Sequence, residues 1–236
     1  MVLTGICLGS WKGSKRETLP DLVKEVDAVP GDFRVRLSSI EPNHINAELI
    51  EVVAHSTKIC QHFHIPLQSG SDRILSLMKR RYNTRQFRKL ITDIRRKMPL
   101  AGITMDIIVA FPGETEEDFA CTAEFIEEIQ PSRLHVFRYS DREGTVSQGM
   151  TPKIKPDIGK KRVKHLINLG SVLQERFSKL FIGRDCEMLA EEKIENSFLT
   201  GYTREYVQVK VPADLFNPGD LICVKLTGDN LVSREL

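Results

Sequence analysis

From Val2 to Phe137, short apolar runs alternate with stretches whose apolar residues recur at helical spacing. Val2–Ile6 predicts a strand and Leu19–Val29 a helix. The pair repeats as strand Phe33–Ile40 with helix Ala47–Ala54, then as strand Ile59–Leu67 with helices Asp72–Met78 and Thr84–Met98. In the last of these helices Phe87, Leu90, Ile91 and Ile94 share one face, the spacing that buries one side of a helix. Ile103–Phe111, rich in branched residues, predicts a strand, Thr115–Ile129 its helix, and Leu134–Phe137 the last strand of the series. Alternation at this pace implies parallel βα units, either an open doubly wound sheet or a barrel-like one. The pattern alone does not separate the two.

The alternation stops near Thr145. Pro152 and Pro156 mark a loop, and Asp157–Leu180 predicts one long basic helix. From Gly183 onward Arg184–Glu192, Thr200–Gly201, Tyr206–Val211 and Leu221–Leu226 predict short strands with no helix between them. Asn217-Pro218-Gly219-Asp220 and Thr227-Gly228-Asp229-Asn230 are turn chemistry. Short strands over this span suggest a small closed barrel. The chain therefore divides into an α/β part (1–149), a basic linking helix (150–182) and a small all-β unit (183–236).

A length of 236 residues with 41% hydrophobic and 28% charged composition suits one large and one small globular unit. No apolar run approaches the roughly 20 residues of a membrane helix, and no signal-peptide layout opens the chain. The expectation is a cytoplasmic protein without a membrane partner. Five cysteines (Cys7, Cys60, Cys121, Cys186, Cys223) are scattered, with no CxxC or CxxxCxxC group, so local spacing builds no metal site. They read best as small apolar residues in a reducing compartment. The net charge of +2 conceals segregation: residues 73–97 hold ten Lys/Arg against Asp93, and residues 150–183 hold eight against Asp157 and Glu175. Such segregation favours a polyanionic partner, against the plainer reading of solvated helix faces.

In parallel sheets ligands collect at the carboxyl ends of the strands. Each predicted strand ends in polar or glycine-rich sequence: Thr4-Gly5, Ser38 to Pro42, Pro66 to Ser71, Phe111 to Thr115 and Tyr139 to Thr145. Thr115-Glu116-Glu117-Asp118 is equally a helix capping box, and Gln68-Ser69-Gly70-Ser71 is either a turn with an N-cap or a set of backbone donors for a carboxylate. Asp106 interrupts an apolar strand, so it needs a partner or faces a site. His62 and His64 share one strand face, and two histidines make at most half a metal site.

Six segments in order carry a resemblance: VLTGI (Val2–Ile6), RLSSIEP (Arg36–Pro42), HIPLQSGS (His64–Ser71), KRRY (Lys79–Tyr82), FPGETEEDF (Phe111–Phe119) and YSDREGT (Tyr139–Thr145). Together they resemble the radical-SAM tRNA methylthiotransferases. The KRRY and REGT forms look most like the MtaB branch, which acts on threonylcarbamoyladenosine in tRNA. The tail from Phe181 resembles the TRAM domain that closes these enzymes. The resemblance implies an incomplete (βα) radical-SAM partial barrel lacking its first βα unit, followed by an OB-like TRAM barrel. It also implies transfer of a methylthio group to C2 of a modified adenosine beside the anticodon, with S-adenosylmethionine and [4Fe–4S] clusters as cofactors and tRNA as partner.

Carried over by motif, Thr4, Gly5, Glu41, Gln68, Ser69, Gly70, Ser71, Asp106, Phe111, Pro112 and Gly113 would line the S-adenosylmethionine pocket. Tyr139 and Arg142, with Arg80 and Arg81, would meet the substrate. Ala110 stands where the family usually has glycine, placing a methyl group near the expected adenine edge. The CxxxCxxC triad that holds the family's cluster is absent, no catalytic or metal-binding residue is assigned here, and Met1 falls where the family's second barrel strand starts. The expectation is a chain inactive alone, complemented by an upstream polypeptide carrying the cluster part. The competing reading is a non-catalytic RNA-binding protein using its basic helices and TRAM unit. Residues 184–236 hold six Lys/Arg against ten Asp/Glu, so Phe198, Tyr202, Tyr206 and Phe216 would have to stack on RNA without help from charge.

Overall fold

A computed structural model of the chain describes residues 1–194 and 198–228. The predicted alternation is present: β1 (Val2–Leu3), α1 (Leu19–Ala28), β2 (Arg36–Leu37), α2 (Ala47–His55), β3 (His62–His64), α3 (Asp72–Leu77), α4 (Thr84–Lys97), β4 (Gly102–Val109), α5 (Glu116–Ile129) and β5 (Arg133–Arg138). β1 pairs with β2, and β4 pairs with β3 on one side and β5 on the other, all parallel, while a parallel bridge between Val35 and Ile59 joins the two groups. The five strands thus run one way, and their carboxyl ends share one edge.

Several strands are shorter than their apolar runs. β1 stops at Leu3 because the chain turns at Ile6, which is fully exposed, rather than continuing a ladder. β2 keeps two ladder residues of the eight in Phe33–Ile40, and flanking bonds such as Ile40 N–H to the His64 carbonyl (3.0 Å) hold the rest. Helices begin where polar caps sit. Asn83 accepts from the Gln86 amide and Thr115 from the Asp118 amide, each in a reciprocal capping box.

Ile103, Met105, Ile107 and Val109 of β4 are buried in one core with Phe63 of β3, Ile65 just after it, and Phe87, Leu90, Ile91 and Ile94 of α4. The alternate residues Thr104, Asp106 and Ile108 face away from the helices, as the two-residue period of a strand requires. The long helix α6 (Pro156–Lys179) lies on the same core through Leu166 and Leu173, and Gly170 leaves room for Leu134 of β5.

A second core, with Met188, Leu199, Val209, Val211 and Val224 at its centre, belongs to a four-stranded antiparallel sheet. Its strands are β6 (Asp185–Ile194), β7 (Phe198–Thr203), β8 (Gln208–Pro212) and β9 (Leu221–Lys225), in the order β8-β7-β6-β9 with a bulge at Ala190/Glu192. A curled sheet is what the described residues show. The expected turn at Asp229-Asn230 lies outside them.

This sheet docks at the amino ends of the parallel strands. Arg204 donates from Nη2 to the carbonyls of Ser56 (3.2 Å) and Ile59 (2.9 Å), and Arg36 from Nη2 to that of Thr203 (3.0 Å). Arg34 pairs with Glu187. Gly102 is required at the joint, because a Cβ there would collide with the Glu205 carbonyl. Tyr206 enters the open end of the curved sheet. It stacks on Tyr202 (4.4 Å) and meets the His62 ring at a tilt (4.6 Å), with the Arg36 guanidinium 4.3 Å from its ring. Tyr202 and Tyr206 are thus spent on the joint between the units, and Phe216 packs on the second core. Only Phe198 of the four aromatics expected to meet RNA has no such engagement among the described residues.

Candidate functional site

At the opposite, carboxyl edge lies a cavity of about 580 Å³. Gln68 follows β3, Asp106 and Ile108 come from β4, Phe111 follows it, and Phe137, Arg138, Tyr139 and Arg142 come from β5 and its loop. Leu77 at the end of α3, with Met78, Lys79 and Arg80 just after it, also line the cavity. Gln68 is set by its backbone: at φ 68°, its N–H bonds the Asp106 carbonyl (2.8 Å) and its own carbonyl takes the Ile108 amide (2.9 Å). The side chain is buried on the cavity with Oε1 unbonded, and the buried Nε of Arg80 is unbonded too. Native proteins pair nearly all buried polar atoms, so these two mark where a polar ligand belongs. Phe111 and Tyr139 meet edge to face at 5.2 Å, giving the rim an aromatic wall.

Of the residues expected in the cofactor pocket, Gln68, Asp106 and Phe111 line this cavity, as do Arg80, Tyr139 and Arg142 from the substrate set. Glu41 stands one step behind, its carboxylate 3.0 Å from Arg80 Nη1, and with Arg80 and Arg81 it borders an adjoining hollow. Ser69, Gly70 and Ser71 face α5. Ser69 Oγ and the Gly70 amide reach the Thr122 hydroxyl (3.2 and 3.1 Å), and Ser71 caps α3 while donating to Asp118 (2.7 Å). Burial alone would raise the Asp118 pKa, but Arg73, Ser71 and Thr115 together hold it below the usual carboxylate range. Thr4, Gly5, Pro112 and Gly113 do not line the cavity; the Gly113 carbonyl accepts from Arg73 (2.6 Å).

Ala110, at φ 60°, carries its methyl toward α6, where Gly159 leaves the space: a Cβ on Gly159 would stand 3.2 Å from it. The left-handed backbone gives the physical reason glycine suits this position, and the methyl borders a side hollow on α6 rather than the main cavity. A signal the sequence did not reveal lies alongside. Arg162 of α6 is buried, donating to Glu114 Oε2 (2.6 Å), Glu116 Oε2 (2.9 Å) and the Thr115 carbonyl (3.2 Å). Glu114 Oε2 also accepts the Ala110 amide (2.6 Å), so this network fixes the loop bearing Phe111. Burial pushes the Glu114 carboxyl up against the pull of the Ala110 amide and Arg162.

Below the cavity, on the same sheet face, His64 Nε2 stands 3.0 Å from Asp106 Oδ2 but off the line of a hydrogen bond, and its ring is 5.6 Å from that of His135. Deeper still, His62 shares a 3.2 Å hydrogen bond with Thr104. Desolvation, reinforced by Arg36, pushes its pKa down to about 3. Burial likewise lowers His135.

Among the described residues no group of three His, Cys, Asp or Glu side chains is placed to hold a metal ion. The five thiols are free, with Cys60 and Cys186 buried in different units and Cys7, Cys121 and Cys223 exposed. Cluster iron needs converging thiolates, so the described residues do not fit an iron–sulfur cluster. The cations split into two populations. On α4, Arg88 pairs with Glu128, Lys89 and Arg96 with Asp93, and Lys97 with Glu51, all away from the cavity. Lys79, Arg138 and Arg142 line the cavity with no acidic partner among the described residues.

The radical SAM superfamily model matches residues 4–126. The chain is 38% identical over 208 residues to threonylcarbamoyladenosine tRNA methylthiotransferase MtaB of Thermotoga maritima, covering 88% of this chain and 48% of that protein. It is 39% identical over 212 residues to tRNA-2-methylthio-N(6)-dimethylallyladenosine synthase of Desulfitobacterium hafniense, covering 89% and 47%. To ribosomal protein uS12 methylthiotransferase RimO of a Thermotoga species it is 38% identical over 189 residues, covering 80% and 44%. The chain thus spans about half the length of the curated relatives it matches. Coproporphyrinogen III oxidase (HemN) of Escherichia coli, a radical SAM enzyme, shares the fold with a TM-score of 0.52 at 18% identity, over 66% of this chain and 36% of that one. With parallel strands, a carboxyl-edge cavity and a family match over more than half its length, the chain belongs to the radical SAM superfamily.

Proposed function

We propose that this chain forms the S-adenosylmethionine- and substrate-binding half of a tRNA methylthiotransferase that modifies C2 of N6-threonylcarbamoyladenosine beside the anticodon. The observation that carries the reading is the cavity at the carboxyl ends of β3, β4 and β5, with two unbonded buried polar atoms, Gln68 Oε1 and Arg80 Nε, on its wall. A nucleoside-bearing cofactor fits its volume, its aromatic rim and its mixed donor and acceptor set. When bound, S-adenosylmethionine supplies the methyl group. The chain's own residues bind and orient: Gln68 and Asp106 hydrogen-bond, Phe111 and Tyr139 offer ring faces, and Arg142 with Lys79 and Arg80 meets anionic groups. The cysteines of this chain do not hold the cluster, so the reading assigns that part to a further polypeptide region. The domain division follows the same lines, with 1–149 as core, 150–182 as the helix joining the units and 183–236 as the TRAM unit. A cytoplasmic location goes with a tRNA substrate.

Calorimetric titration with S-adenosylmethionine tests this reading. Saturable binding, weakened at least tenfold by Asp106→Ala, is expected; no heat at millimolar ligand would refute it. The runner-up, a non-catalytic RNA-binding protein, is favoured by the unpaired cations of the cavity rim and by the absence of a fitting metal site among the described residues. It predicts salt-sensitive binding of unmodified tRNA together with no response to S-adenosylmethionine.

A further inference from the structure

The relatives at 38, 39 and 38% identity are named for three different acceptors, so overall similarity does not choose among them. The cavity does. Its wall carries Lys79, Arg80, Arg138 and Arg142 against one acid, Asp106, which already faces His64 at 3.0 Å. Glu41 answers Arg80. The neighbouring carboxylate of Asp141 is taken by Lys153 and by the Tyr139 hydroxyl (3.0 Å), which leaves Arg142 without an acid. Three cations without an acidic partner around one cavity make its mouth attractive to an anion. S-adenosylmethionine, with a sulfonium and an ammonium against one carboxylate, adds positive charge rather than removing it. An anionic group to match them would come from the substrate.

Resting on the function proposed above, we propose that Lys79 and Arg142 read the base substituent through its carboxylate, with Arg80 Nε as the inner donor. They would thereby select a carboxylated N6 group and reject a hydrocarbon one. A threonylcarbamoyl group brings a carboxylate to these cations. A dimethylallyl group brings only methyl groups, and seating it would strip water from charges without replacing it. An oxyanion could also reach the rim as a backbone phosphate, so the two sources must be separated.

The experiment measures equilibrium binding of three probes to the full chain in the presence of S-adenosylmethionine. The probes are N6-threonylcarbamoyladenosine (carboxylate, no phosphate), N6-dimethylallyladenosine (neither) and adenosine 5′-monophosphate (phosphate only). The carboxylated nucleoside is expected to bind about ten- to a hundredfold tighter than the dimethylallyl one, the range of one charge-assisted hydrogen bond. Lys79→Gln with Arg142→Gln should shrink that ratio toward one; both side chains are exposed, so folding is not at stake. Equal binding of the two modified nucleosides overturns the selection, as does a ratio that survives in the double variant. A gain for the monophosphate matching that of the carboxylated nucleoside assigns the cations to phosphate and also overturns it. Failure of all three probes to bind would sink the proposed function as well, and so differs from failure of the selection alone.

Discussion

Gly102→Ala probes how the small sheet is fastened to the large one. The new methyl would occupy the position of the Glu205 carbonyl oxygen, so the 203–206 turn must back away. That movement stretches three hydrogen bonds from charged donors: Arg204 to Ser56 (3.2 Å) and Ile59 (2.9 Å), and Arg36 to Thr203 (3.0 Å). At about 1.5 kcal/mol each, the lower end for charged donors, docking weakens by roughly 4.5 kcal/mol, or about two thousandfold in the opening equilibrium. Hydrogen exchange with peptide-level mass spectrometry should show residues 56–62 and 202–208 opening together by that factor. The centres of α4 and β4, inside the other core, should stay protected. Exchange unchanged at both joint segments would refute the proposition that this contact fixes the small sheet against the amino ends of the strands.

Three further outcomes follow from buried groups. His62, with its pKa pushed down to about 3, stays neutral in the folded chain, whereas unfolding frees it to protonate near pH 6.5. The unfolded state then binds more protons between those values. Stability is therefore full above about pH 6.5 and falls by about 1.4 kcal/mol per pH unit below it. Urea midpoints from pH 7 to pH 5 should show this slope and His62→Gln should flatten it; an identical slope in the variant would contradict the assignment. Arg162→Met leaves Glu114 buried and uncompensated, an expected loss of about 3–5 kcal/mol by denaturant titration, largely restored by adding Glu114→Gln. Ala110→Gly and Gly159→Ala should be coupled by at least about 0.5 kcal/mol in a double-mutant cycle, because two methyl groups there would stand 3.2 Å apart. Strict additivity would mean the loop and α6 do not share that space.

Much of the fold was legible because periodicity reports burial. Phe87, Leu90, Ile91 and Ile94 share a face in the sequence, and all four are buried. Asp106, an acid in an apolar strand, signalled a partner or a site; it lines the cavity, with His64 Nε2 3.0 Å away. The ends of β1 and β2 were less legible, since an apolar run does not state how many of its residues find a neighbouring strand. The Gln68-Ser69-Gly70-Ser71 stretch reads equally as a ligand cradle or as a turn with an N-cap; Ser71 does cap α3, and only the position of Thr122, some fifty residues on, ties Ser69 and Gly70 to α5. Nothing local foretells that Gly102 must admit Glu205, or that Tyr206 lands between His62 and Arg36. Such contacts between units depend on shape formed only after both have folded. The charge count behaved similarly: on α4 and α6, cations such as Arg88, Lys97 and Arg162 are ion-paired, so clustering in sequence overstated what faces a partner.

The account turns on the cavity at the carboxyl edge being the nucleoside site. Photolabelling with an azido-adenosyl analogue of S-adenosylmethionine, followed by peptide mapping, addresses it most directly. Cross-links should concentrate in 66–82, 104–113 and 135–147, and should disappear under competing S-adenosylmethionine. Competable labelling confined to the antiparallel sheet or to the outer faces of the helices would contradict it.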